Sequence, residues 1–131
     1  MAVTNQTLQD SKFRTIVKTV TSSTTSNGSI LDVSGLLGWE TEGTSLVNIA
    51  KISWSLSSPA EIRWDANANV TALTLNSNGT YGFMPGQPAL ANNASTGITG
   101  DVLFHAASAC VGYVVIEYHK VTNSLGAGWT T

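Results

Sequence analysis

Few side chains in this sequence are of types that do chemistry, and their spacing limits what they could do. There are two histidines, His105 and His119, and one cysteine, Cys110. Glu117 and His119 stand two apart, so in a strand they share a face, and a metal would need further ligands gathered beside them. Residues 98–107 and 111–122 both read as strands, and if residues 107–110 turn a hairpin between them, paired numbers sum to about 217. His105 then lies opposite Gly112 and His119 opposite Ile98, which separates the two rings by about 23 Å along the sheet. On that register no metal site is expected. Cys110 closes the small-residue run Ala106-Ala107-Ser108-Ala109-Cys110. A catalytic thiol needs an electropositive setting, and this one reads as a structural thiol in the interior.

The carboxylates form two sets. Glu61 and Asp65 flank Arg63 at alternate positions, which suits a cross-strand charge ladder worth a few tenths of a kcal/mol per pair. Glu40 and Glu42 sit beside Trp39 in a glycine-rich stretch. A tryptophan next to acids can stack on a sugar, but in a loop of a thin sandwich it more often plugs the core, with an interface anchor as the next reading. No Gly-x-Ser-x-Gly elbow and no phosphate-binding loop occurs. The expectation is a protein with no catalytic residues and no cofactor.

Composition points to the scaffold. Ser, Thr and Asn make up 42 of 131 residues, while charged residues are only 11%. Those three residue types compete for backbone hydrogen bonds and form helices poorly. The net charge is −2, and the one basic cluster, Lys12, Arg14 and Lys18, is too small for the phosphate-neutralising stripe of a nucleic-acid binder. No apolar run approaches the roughly 20 residues that span a bilayer. The first 15 residues lack the apolar segment of a secretory leader, so synthesis in a cytoplasm is expected.

Strands are therefore the elements that must position any site. Residues 12–21 alternate and are rich in β-branched types. A turn over 22–29, a short strand over 30–34 and a loop over 35–44 follow. Residues 45–57 carry the clearest period of two, with Leu46, Ala50, Ile52, Trp54 and Leu56 on one face. Residues 60–66 alternate with Ile62 and Trp64 inward, and 69–75 form another strand. Asn78-Gly79 reads as a hairpin turn before a short strand at 80–83. Residues 84–97 form an excursion long enough to be interfacial, ahead of the last two strands. The prediction is an all-β, antiparallel β-sandwich or jelly roll of about eight strands. Its expected core is Leu46, Ile52, Trp54, Leu56, Ile62, Trp64, Val114 and Ile116. Residues 1–11 are expected as an extended N-terminal arm, 12–122 as the sandwich and 123–131 as a tail.

Three segments, MAVTNQTLQDSKFRTIVKTV, KISWSLSSPAEIRWDANANVTALTLNSNGTYGF and GDVLFHAASACVGYVVIEYHK, together resemble small virion structural proteins of tailed marine phages, cyanophages in particular. The resemblance covers roughly residues 1–122. It implies a capsid decoration, or cement, protein on the surface of the virion head, bound to the phage major capsid protein and forming a homo-oligomer, most simply a trimer. A place in the tail, neck or fibre base is the alternative within the virion. A carbohydrate-binding host-recognition sandwich is the alternative outside that role, with Trp39, Tyr81, Phe83 and Trp129 as the available rings. The residues expected at an interface are Val3 and Leu8 of the arm, Trp39, Phe83, Pro85 and Pro88 of the loops, and Trp129 of the tail. Neither nucleic acid nor membrane is an expected partner.

Overall fold

The computed structural model describes residues 3–40, 42–121 and Trp129. Nine strands follow one another: β1 (Val3–Asp10), β2 (Arg14–Thr21), β3 (Thr25–Leu31), β4 (Leu46–Leu56), β5 (Ala60–Trp64), β6 (Val70–Leu75), β7 (Asn78–Tyr81), β8 (Val102–Ala106) and β9 (Gly112–Val121). They form two antiparallel sheets in the orders β1-β2-β9-β4-β7 and β3-β8-β5-β6. Leaving β1 aside, that is the strand order of a jelly roll, in which the chain changes sheet at every connection except β5–β6. The facing surfaces enclose one core with Ile52, Ile62, Trp64, Phe104, Ile116 and Tyr118 at its centre. Burial also pushes the Tyr118 phenol well above its ordinary pKa, so it stays protonated.

The alternation expected over residues 45–57 breaks in the middle. Ile49 pairs with Tyr118 but Lys51 pairs with Glu117, so Ala50 is the extra residue of a β-bulge. A bulge reverses which parity faces inward. Val47 and Ile49 are buried before it, and Ile52 and Leu56 after it. Leu46 therefore leaves the expected core face and is only half-buried. Trp54 keeps its inward parity but is also half-buried, because its partner strand β7 is the short edge of the sheet.

Three other expectations are corrected. The segment expected as an extended arm outside the sandwich belongs to it: residues 3–10 form β1, the edge strand paired with β2. Asn78-Gly79 is not a hairpin turn, because β6 and β7 lie in different sheets. Gly79 is needed for another reason: it faces Trp54 across the ladder, and a Cβ there would meet the indole at 2.7 Å. The turn between β8 and β9 is likewise no hairpin, since residues 107–111 carry the chain from one sheet to the other. Parity then places His105 on the outer face of one sheet, opposite Glu61. His119 lies on the outer face of the other, between Arg14 and Asn48.

Jelly-roll connectivity sorts the connections by end. Residues 22–24, 57–59, 76–77 and 107–111 join strands at one end, and residues 11–13, 32–45, 65–69 and 82–101 at the other. The first end is closed by tight backbone contacts, such as Leu56 N–H to Ser77 O and Ser57 N–H to Val111 O. Cys110 is buried there, its thiol donating to Ser58 O. The second end carries the long loops.

Candidate interaction surface

The long-loop end is organised around one ammonium group. Lys120 is the penultimate residue of β9, and its side chain is 1% exposed. Its Nζ donates to Asp10 Oδ1 at 2.7 Å, to Ser11 O at 2.6 Å and to Leu37 O at 2.6 Å. Three donors meet three acceptors, which is the full capacity of the group. The Trp129 ring lies over the same Nζ at 5.1 Å, close enough for a cation–π contact. Asp10 Oδ2 accepts the Leu37 amide, and the Lys120 amide donates to Phe13 O. Thus the β1–β2 turn, the loop after β3 and the end of β9 are tied at one point.

The loop after β3 starts with a 3-10 turn at Val33–Gly35, capped by Asp32, whose side chain accepts from the Ser34 amide. Of the following Leu36-Leu37 pair, Leu36 packs against the core and Leu37 points to solvent. Phe13 at the tip of the β1–β2 turn is also in solvent. Leu37 and Phe13 are 60% and 68% exposed, on loops whose backbones are fixed by the Lys120 contacts.

A second anchored loop follows β7. Met84-Pro85-Gly86-Gln87 is a tight turn closed by Gln87 N–H to Met84 O, with Gly86 at φ +87°, the signature of a type II turn. Gln87 Oε1 accepts from the amides of Gly82 and Met84. Tyr81 donates its hydroxyl to Pro88 O, and Leu90 exchanges both backbone bonds with Ile49. Phe83 and Met84 stand exposed on this turn, with Lys51 Nζ 5.6 Å from the Phe83 ring centre.

The residues expected at an interface separate into groups. Leu8, Phe83, Pro85 and Pro88 are exposed. Val3 is buried at the start of β1, and Trp129 is 2% exposed. Trp129 covers the end of β4 by donating its indole N–H to Leu46 O and pairs with Trp39, itself half-buried against the core. Val3 and Trp129 are therefore corrected from contact residues to core residues of the chain's own fold, and the rest of the expected tail lies outside the described residues. The reading missed Phe13 and Leu37. Phe13 fell inside an apparent strand, and nothing in Leu36-Leu37 says which of the two faces out.

The remaining polar clusters are structural in their partners. Arg63 bonds Glu61 and Asn27, and Thr71 donates to Glu61. The Thr71 and Arg63 hydrogen bonds hold the Glu61 carboxyl below its ordinary pKa. Asp65 accepts from Thr99 Oγ1 and joins the loops 65–69 and 82–101. Asp101 accepts the Val33 amide, and burial pushes its carboxyl above its ordinary value. Glu117 stands between His119 at 2.8 Å and Arg14 at 3.8 Å. Among the described residues no group of three or more His, Cys, Asp or Glu is placed to hold a metal. The four rings available to a sugar do not form a platform: Trp129 is buried, Trp39 and Tyr81 are half-buried, and Phe83 alone is exposed. No family model, curated protein or solved structure matches the chain.

Proposed function

We propose that the chain is a non-enzymatic virion structural protein that decorates a phage head shell and reinforces it through its long-loop end. Fold alone does not carry this, since jelly rolls also serve as lectin domains and cupins. The observation that carries it is the pair Phe13 and Leu37. Both are large, apolar and mostly exposed, and both sit on loops fixed by the buried Lys120. A loop whose backbone is already fixed loses little freedom on binding, which favours the exposed side chains it carries as anchors. Phe83 and Met84 on the Gln87-braced turn repeat the arrangement. The low share of charged residues suits contacts made by apolar groups and hydrogen bonds, which salt screens little.

Undecorated shells provide the experiment. The wild-type protein is expected to co-sediment with them stoichiometrically, at a copy number that electron microscopy assigns to the head lattice. The double variant Phe13→Ser/Leu37→Ser is expected to fold and to bind at least about tenfold more weakly. Absence of wild-type binding rejects the decoration reading. A copy number of a few per particle moves the protein to the neck or tail, and sedimentation of the free protein reads the trimer directly.

A further inference from the structure

The four sheet edges differ in how well they are protected. β7 has four residues, β6 pairs through a register shift, and β3 has two shifts along its length. β1 is eight residues long, and its register is regular from Val3 to Thr7 before a bulge at Leu8. From Val3 to Gln9 it has no charged residue and no proline. Natural edges usually repel other strands with such residues, so β1 has kept little of that protection.

β3 edges the opposite sheet on the same side of the sandwich; the two edges touch where Val3 lies against Gly28 and Asn5 Nδ2 donates to Ser29 O, and a gap opens beside that bond. The gap is a cleft of about 260 Å³, with Asn5 and Thr7 on the β1 lip and Val17, Ile30, Leu31 and Leu36 supplying apolar lining. Its one charged lining residue is Asp32. That carboxylate is exposed, uses Oδ1 for the Ser34 amide and hydroxyl, and has no ion-pair partner among the described residues.

We infer that the β1 edge and this cleft form a strand-accepting site for an extended segment of a partner protein. The segment pairs along Val3–Thr7, sets an aliphatic side chain into the cleft and brings a lysine or arginine to Asp32. In strand addition the backbone bonds supply affinity, and a pocket for alternate side chains supplies selectivity. A second copy of β1 fits poorly. Its Val3 is already buried in its own fold and its Leu8 sits at the bulge outside the regular stretch, so it would offer Asn5 or Thr7 to the apolar lining, and it holds no cation for Asp32. Eight residues on each side also fall short of the roughly 20–30 per partner in a stable interface. A segment of a larger partner already held at Phe13 and Leu37 does not have that shortfall. The inference rests on the assembly reading and names the element of the shell protein that this chain would accept.

The test uses undecorated shells, the full-length protein and two variants on exposed positions, Thr7→Lys and Asp32→Asn. Thr7→Lys places a charge on the open edge, and Asp32→Asn keeps the capping oxygen while removing the charge. Wild type is expected to bind, with amides of residues 3–7 exchanging more slowly in the bound state. Thr7→Lys is expected to bind at least about tenfold more weakly and Asp32→Asn a few-fold more weakly, both with wild-type circular dichroism. If the wild type binds but its 3–7 amides gain no protection, or if Thr7→Lys binds equally well, the strand site is wrong and the assembly reading stands. The exchange measurement decides the matter even if a variant misfolds. If the wild type does not bind, both readings fall. If the free wild type is a dimer and Thr7→Lys a monomer, the occupant is a second copy and the assignment to a partner protein is overturned.

Discussion

Replacing Lys120 by methionine keeps most of the side-chain volume and removes the ammonium on which three segments converge. The loss can be worked from its contacts. Ser11 O and Leu37 O lose donors at 2.6 Å; an orphaned buried acceptor costs about 1–3 kcal/mol, and since Ser11 is half-buried and Leu37 exposed, water recovers much of that here. Asp10 keeps the Leu37 amide on Oδ2, and its side chain is 23% exposed, so water replaces part of what it loses. Breaking a fully buried ion pair, the partners it orphans included, costs about 3–5 kcal/mol, and the hydration of Asp10 and of the exposed Leu37 carbonyl moves this one to the lower end. The cation–π contact with Trp129 adds about 0.5–1 kcal/mol. The expected total is about 3–4 kcal/mol, a large fraction of the 5–15 kcal/mol that separates folded from unfolded domains. With a urea slope of about 1–3 kcal/mol per molar, the midpoint drops by roughly 1–4 M. Urea titration followed by tryptophan fluorescence and far-ultraviolet circular dichroism measures it. Lys120→Arg should fall between, because a planar fork cannot reach three acceptors arranged for a rotating ammonium. A midpoint change below about 0.3 M at constant slope would refute the role given to Lys120 in fixing the loop end.

Trp64→Ala should cost about 3–5 kcal/mol and Trp54→Ala clearly less, since Trp64 is fully buried and Trp54 half-exposed; paired chemical denaturations check the order. Gly79→Val should destabilise the fold and blue-shift or quench one tryptophan, because its Cβ meets the Trp54 ring at 2.7 Å. Gly82→Ala should release the turn that carries Phe83, since Gly82 sits at φ +93° with its missing Cβ aimed at the Ala50 carbonyl; faster exchange of the Met84 and Leu90 amides reads this. Asp101 has its pKa raised, first by burial and then by Asp32, Asp65 and Glu42, against the lowering bond from Val33. A carboxyl raised in the folded state opposes folding above its folded value, and the penalty disappears below the unfolded value of about 3.9. Asp101→Asn should therefore be more stable than wild type at pH 7, with the difference closing as pH falls toward 4 in urea midpoints taken at several pH values.

How much of this molecule is legible in its sequence depends on the range of the interaction concerned. Alternation over 60–66 placed Ile62 and Trp64 correctly because β5 is short and paired on both sides, so local period and burial coincide. Over 45–57 the same reasoning erred by one residue at Ala50. The bulge is fixed by the pairing of β4 with β9, roughly 70 positions away, and nothing at Ala50 itself announces it. Asn78-Gly79 and the run 107–110 misled in a common way. Both have the composition of a tight turn, and both are short connections. Composition says that the chain reverses but not whether it returns to the same sheet. In a jelly roll nearly every reversal changes sheet, so hairpin arithmetic applied to β8 and β9 put His105 and His119 along one sheet when they lie on opposite faces.

The candidate surface was harder to read, for a physical reason. Period reports which side of a strand is wet, but it carries no information on whether the strand has a neighbour on each edge. β1 reads as polar because six consecutive residues, Thr4–Gln9, are exposed on both faces. Such a pattern is shared by a disordered arm and by an edge strand that overhangs its partner sheet. The difference lies in contacts distant in sequence: Thr19 bonding Asn5, Asn5 bonding Ser29 O, and Lys120 gripping Asp10. The same Lys120 fixes the backbones of the loops that hold Phe13 and Leu37 exposed. Its own signal in sequence is only a cation at the end of an apolar strand, the most common place for a solvated lysine. A lysine at such a position becomes a structural centre when three acceptors and a tryptophan close over it. Those partners come from residues 10, 11, 37 and 129, and only the closed sandwich brings them together.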